Sequence, residues 1–288
     1  MRFLFPFRKK EEKEETSGHT SQTHNDSDTL PKQIAKVNIN GVGSFRLNLT
    51  DIQTKRSDLF CSGQYSVFDI ITGLADNGSI DVRYHFDESL NTYVIESING
   101  KQTWWYTAYY DGGWPERNVF RMDHFPYKDG MQITLTQVPG TAVKEIYQYF
   151  QAETKRKQNS RNLVVPEVLI RGQHTKLKFN HVEVRPHNLR NDLFHENVPT
   201  ALDVILSLAD EGKLTYELKW HESLGRARTV KSYWVEKINN EQSYRSFGFV
   251  YEEGSYEYRH GRGNHIHIPA DARIIHSPEY VEWFWICL

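Results

Sequence analysis

The chain has 288 residues, enough for two domains of ordinary size with separate cores, and its net charge of -2 excludes a whole-molecule field for nucleic acid. Aromatic residues make up 13%, with 16 Tyr and 7 Trp against 3 Met, a composition that favours half-buried antiparallel strands and contact surfaces with a polar handle. Cys61 and Cys287 form no Cys-x-x-Cys motif and too few pairs for a disulfide framework, so a reducing compartment is expected.

No apolar run approaches the roughly 18 residues of a membrane span. The opening MRFLFPFRKK is too short an apolar patch for a secretory signal, so the expected location is cytoplasmic. Residues 1–33 read as a disordered tail of mixed charge that docks, through Phe3, Leu4, Phe5 and Phe7, to a membrane or partner if it docks at all.

From Val37, alternation at Val37, Ile39, Phe45, Leu47 and Leu49 around Gly41-Val42-Gly43 predicts a hairpin. Ser66 and Asp69 form a capping box with Asp in place of Glu, and Val67, Ile70, Ile71 and Leu74 make one helical stripe that Gly78 closes. Ile80, Val82, Tyr84 and Phe86 then alternate as a strand, followed by a second at Thr92–Ile98 that turns at Asn99-Gly100. The aromatic run Trp104–Tyr110 comes next, then a last strand at Met131–Val138. Residues 141–157 carry a stripe of Val143, Ile146, Tyr147 and Phe150, with Lys155-Arg156-Lys157 at the negative end of the helix dipole.

The second half repeats the first. Residues 58–90 and 192–224 align without a gap, and 12 of the 33 positions are identical; chance gives about two. Asp58-Leu59-Phe60 matches Asp192-Leu193-Phe194, Leu74-Ala75-Asp76 matches Leu208-Ala209-Asp210, and Gly78 matches Gly212. Thr200 and Asp203 repeat the cap, and Tyr244-Arg245-Ser246-Phe247 aligns with the Trp pair. The period is too long for a solenoid, so a domain duplication is expected. The fold class is α+β: two tandem β-grasp-like units, each a mixed sheet covered by one helix, joined by a connecting helix. The expected boundaries are 1–33 tail, 34–140 first repeat, 141–163 connecting helix and linker, and 164–288 second repeat.

Ser66-Val67-Phe68-Asp69, Asp81-Val82-Arg83-Tyr84, the run from Tyr93 to Lys101, Trp104-Trp105-Tyr106 and Asp129-Gly130 together resemble the β-grasp domain at the C-terminus of transcobalamin and intrinsic factor. The resemblance covers roughly residues 37–139, with a diverged copy over about 165–288. It implies that the Trp segment, in particular Trp105, Tyr106 and Thr107, faces cobalamin or another tetrapyrrole-like cofactor.

The residues themselves leave three options open. Trp104, Trp105, Tyr106, Thr107, Tyr109 and Tyr110 offer aromatic faces to a flat ligand, with one strand face expected in the core. His265 and His267 stand at i, i+2 near His260, and chelate a metal if Glu257 or His276 converges on them. Exposed sheet edges provide for a protein partner. The recurring carboxylates Glu96/Glu236, Asp76/Asp210 and Glu88/Glu222 read as structural, and no Gly-x-Ser-x-Gly, Walker-type loop or dinucleotide fingerprint is present. The expectation is a non-enzymatic ligand-binding protein.

Overall fold

A computed structural model describes residues 34–109, 120–160, 162–223, 230–245, 247–256, 264–265 and 268–287. The described residues belong to one compact unit, and the expected tail, residues 1–33, lies outside them. The first half runs β1 (Ile34–Ile39), β2 (Gly43–Asn48), α1 (Val67–Asp76), β3 (Val82–Asp87), β4 (Thr92–Ile98), β5 (Trp104–Tyr109) and β6 (Gln132–Gln137). After α2 (Gly140–Gln158) come β7 (Leu163–Arg171), β8 (Lys176–Val184), α3 (Ala201–Asp210), β9 (Tyr216–His221), β10 (Ser232–Ile238), β11 (Glu241–Gln242), β12 (Phe247–Gly254), β13 (Asn264–His265) and β14 (Tyr280–Cys287).

Each half has a sheet in which the last strand returns parallel to the first. The orders are β2-β1-β6-β5 and β8-β7-β14-β12-β13, with β1/β6 and β7/β14 parallel and the other pairs antiparallel. The remaining strands stand apart as β3-β4 and β11-β10-β9. The sequence places all strands of a unit in one sheet. The structure separates the hairpins, and each carries a register shift, at Arg83/Tyr84 and at Val235/Lys237, of the kind that bends and twists a strand pair.

Local chemistry explains the helices. Ser66 Oγ accepts from the Asp69 N–H at 3.1 Å while Asp69 Oδ2 accepts from the Ser66 N–H at 2.7 Å, closing the capping box. On α3 Asp203 Oδ2 accepts from the Thr200 N–H at 2.6 Å and from its hydroxyl at 2.9 Å, while the Asp203 N–H donates to Thr200 O at 3.1 Å. Gly78 and Gly212 stop the helices at φ +77 and +69, where a side chain is strained. The stripes Val67, Ile70, Ile71, Leu74 and Ala201, Val204, Ile205, Leu208 are fully buried. Each Ile or Leu so buried contributes about 1.5–3 kcal/mol.

The halves meet self-complementarily. Cys61 N donates to Leu193 O at 3.0 Å and His195 N donates to Leu59 O at 2.9 Å, with the Phe60 and Phe194 rings 5.4 Å apart between them. These residues are one another's counterparts in the repeat, so the contact has the reciprocal form of a two-fold dimer interface within one chain. Phe194, Val198, Ile268, Ala272 and Ile274 of the second half complete the core of the first. No helix among the described residues is long and apolar enough to cross a membrane.

Candidate functional site

The aromatic strand β5 ends its sheet, and its alternation sends Trp104, Tyr106 and Ala108 to the core side. Trp104 and Tyr106 are each 1% exposed; their polar atoms bond to Lys101 O at 2.7 Å and Phe120 O at 2.8 Å. Trp105 faces the other way yet is only 5% exposed, because α2 folds back over it: Tyr147 and Phe150 lie 6.1 and 6.3 Å from its ring. The first sheet therefore has a helix on its second face at this edge, where the sequence reading expects one covering helix per sheet. Thr107 and Tyr109 are partly exposed, and Tyr110 lies outside the described residues.

The second-half counterpart of this strand is not the segment at Tyr244. Tyr106 Oη bonds to Phe120 O as Tyr251 Oη bonds to Ile268 O, and the registers Tyr106↔Leu135 and Tyr251↔Trp283 agree with that match. Phe249 and Val250 thus stand where Trp104 and Trp105 stand, whereas the bridge between Tyr244 and Phe247 has no counterpart among the described residues of the first half. An insertion shifted the sequence alignment.

Beside β5, the N-terminal turns of α2 and the β3–β4 turn enclose an open groove of about 440 Å³. Leu90, Thr103, Val143 and Tyr147 give it an apolar wall, while Asp87, Lys144 and Gln151 line its polar part. Burial, with the charge of Asp87, pushes the Tyr147 phenol up to about 12, so it is a neutral donor at neutral pH.

The buried charges occupy a different place. Arg56 forks onto Asp58 through two 2.7 Å bonds and reaches Asp123 at 2.9 Å; Asp123 in turn accepts from Thr92 Oγ1 and, at 3.3 Å, from Tyr93 N. Arg190 repeats the fork on Asp192 at 2.7 and 2.8 Å and reaches Asp271 at 3.0 Å; Asp271 accepts from Ser232 and Tyr233 N. Each knot ties three separate segments of its half. Across the two-fold contact, Lys128 Nζ donates to Val230 O at 2.6 Å, and burial lowers its ammonium to about 8 with Asp271 partly offsetting.

Its counterpart His276 enters the first half. There its Nε2 lies 2.7 Å from His124 Nδ1, and His124 Nε2 faces Arg56 Nη1. Burial, then neighbouring cationic and imidazole groups, holds both imidazoles well below their usual range, so both are neutral. Since the guanidinium only donates, His124 Nε2 accepts, its Nδ1 carries the proton toward His276, and His276 holds its own proton on Nδ1. Nearby, Arg121 bonds Glu153 at 2.6 Å, Tyr149 bonds the same carboxylate at 2.6 Å, and Arg273 grips Glu253 through two nitrogens. The space among these groups does not admit a water molecule. The His124–His276 contact joins the halves, the Arg121 bonds tie the first half to α2, and the Arg273–Glu253 pair lies within the second half.

His260 and His267 lie outside the described residues, and of His265 only the backbone, in β13, is described. Of the two expected third ligands, Glu257 lies outside the described residues and His276 lies against His124. Among the described residues no group of three His, Cys, Asp or Glu is arranged for a metal ion. Glu96 and Glu236 pair across their hairpins with His85 at 2.7 Å and His221 at 3.0 Å. The sequence reading missed Arg56 and Arg190, although Arg-x-Asp-Leu-Phe recurs in both halves. It had no signal for Asp123 and Asp271, whose flanking segments have diverged. No protein-family model, curated protein or solved structure matches the chain.

Proposed function

We propose that the chain is a non-catalytic binding protein built from two β-grasp-like units, and that the groove between α2 and the β3–β4 turn receives a flat, largely apolar ligand. The observation that carries this reading is the groove itself, open to solvent and with an apolar wall beside a few polar groups, which suits one flat face of such a ligand. It adjoins β5, the segment that the resemblance to the cobalamin carriers singles out. The parallel return of β6 onto β1 and of β14 onto β7, each with a helix on the sheet, supports the β-grasp reading. Cobalamin and haem are the first ligands to test. The groove reading predicts that one of them raises the melting temperature saturably and that Val143→Asp removes the rise. A protein whose melting temperature ignores both contradicts the tetrapyrrole class.

A second reading rests on the ends of the sheets. β2, β5 and β8 are terminal strands among the described residues, and β8 carries Lys176 and Lys178 on its exposed positions, a pattern that discourages pairing with another strand. A partner strand therefore adds to β2 or β5 in preference to β8. Recovery of a partner that binds equally well after Arg46→Pro in β2 and Thr107→Pro in β5 counts against strand addition.

A further inference from the structure

Each covering helix has one carboxylate in its first turn and another in its last: Asp69 and Asp76 in α1, Asp203 and Asp210 in α3. In the second half an imidazole bridges them. His187 Nδ1 lies 2.9 Å from Asp203 Oδ1 and its Nε2 lies 3.0 Å from Asp210 Oδ2, while its backbone N–H donates to Asp203 at 2.9 Å. Ser207 Oγ accepts from the Arg185 N–H at 2.9 Å.

The first half keeps the carboxylates and loses the bridge. Lys55 supplies the backbone bond to Asp69 at 2.7 Å, but its Nζ stays 3.8 Å from Asp76, too far for a hydrogen bond. Gly73 stands where Ser207 stands, and the space over it is taken by Leu47 and Ile52: a Cβ there meets Leu47 Cδ2 at 2.8 Å. Beside them lies a pocket of about 230 Å³ with Asp69, Asp76 and Gln53 on its polar side and Leu47, Ile52 and Gly73 on its apolar side.

We propose that this pocket binds a planar cationic nitrogen group, a guanidinium or imidazolium, seated between Asp69 and Asp76 as His187 is seated between Asp203 and Asp210. The second half shows the geometry that this pair of carboxylates accepts: one ring nitrogen toward each end of the helix. The flat faces of a guanidinium or imidazolium suit the apolar side formed by Leu47 and Ile52. The group comes from a small free molecule or from an arginine or histidine side chain of a partner, and the site is separate from the groove proposed above.

Titration of the whole chain with methylguanidine and with N-acetyl-arginine amide, followed by the backbone amide signals of Thr72, Gly73 and Asn77, tests this. Saturable shifts at these signals are expected. Asp76→Asn, at a side chain 68% exposed and so harmless to the fold, weakens binding about tenfold, the effect of losing one charge-assisted hydrogen bond. Lys55→Ala tightens binding by removing the competing ammonium, and Lys55→His abolishes it by supplying an imidazole from the residue whose N–H bonds Asp69 as that of His187 bonds Asp203. Equal binding of the two probes identifies a free guanidine as sufficient, and preference for the arginine derivative identifies a polypeptide side chain. Absence of saturable shifts with both probes, or unchanged affinity in Asp76→Asn, overturns the proposal, as does equal weakening by Asp210→Asn in the second half.

Discussion

The two halves solve the same packing problem with different side chains. Where the first half has Ala108 and Phe125, both buried, the second has Glu253 gripped by Arg273 at the matching positions. Where Lys55 secures the backbone at the first helix cap, His187 does so at the second and adds two side-chain bonds. The frame of hairpin, capped helix and returning parallel strand tolerates both, so the frame is set by burial pattern and capping, and these positions are free to diverge in charge and titration behaviour.

The largest effect tests the charged pair. Arg273→Phe alone strands Glu253 in the interior and is expected to cost about 3–5 kcal/mol in urea denaturation. Adding Glu253→Ala recreates the first half's Phe and Ala combination and recovers most of that loss. A double variant as unstable as the single one breaks the equivalence of the two positions.

Next come the helix stripes. Leu74→Ala and Leu208→Ala, both at 0% exposure, are each expected to cost about 2–5 kcal/mol and to lie close to one another. Markedly unequal losses indicate that one helix is held by something other than its sheet. A smaller pair is Gly78→Ala and Gly212→Ala. Nothing lies within 4 Å of a Cβ at either position, so the cost is left-handed backbone strain of about 1–2 kcal/mol, equal in both.

Much of this frame was legible in the sequence. The capping boxes, the stripes, Gly78 and the positive-φ turn at Asn99-Gly100 depend on residues close along the chain, and each kept its place. Contacts between distant segments were not legible. That α2 closes over Trp105, that Asp123 reaches back to Arg56 and that His276 crosses to His124 all join residues at least 42 positions apart (147 less 105 for Tyr147 and Trp105), where periodicity carries no information. The groove was invisible for the same reason, since α2 and the β3–β4 turn form it jointly.

The subtlest prediction concerns pH. Bonds to Asp203, and then Asp210, raise His187 above its usual value against the opposing effect of burial. Its contribution is therefore fully present below about pH 6.5 and is lost as pH rises through the raised value. His124 and His276 act oppositely, because their folded values are depressed: the unfolded chain takes up protons first as pH falls below about 6.5, and stability declines there. His187→Lys, the first half's solution, removes only the alkaline-side loss. Urea midpoints between acid and mildly alkaline pH check this, and an unchanged alkaline slope in His187→Lys contradicts it.

Under the proposed function, ligand binding belongs to the first half, beside β5. Backbone amide mapping of the intact chain during titration with cobalamin, and separately with haem, tests it most directly. Saturable shifts concentrated at Leu90, Thr103, Val143 and Tyr147 are expected with one of them. Shifts centred instead on Tyr244, Phe247 and their neighbours, or no saturable shifts with either ligand, contradict it.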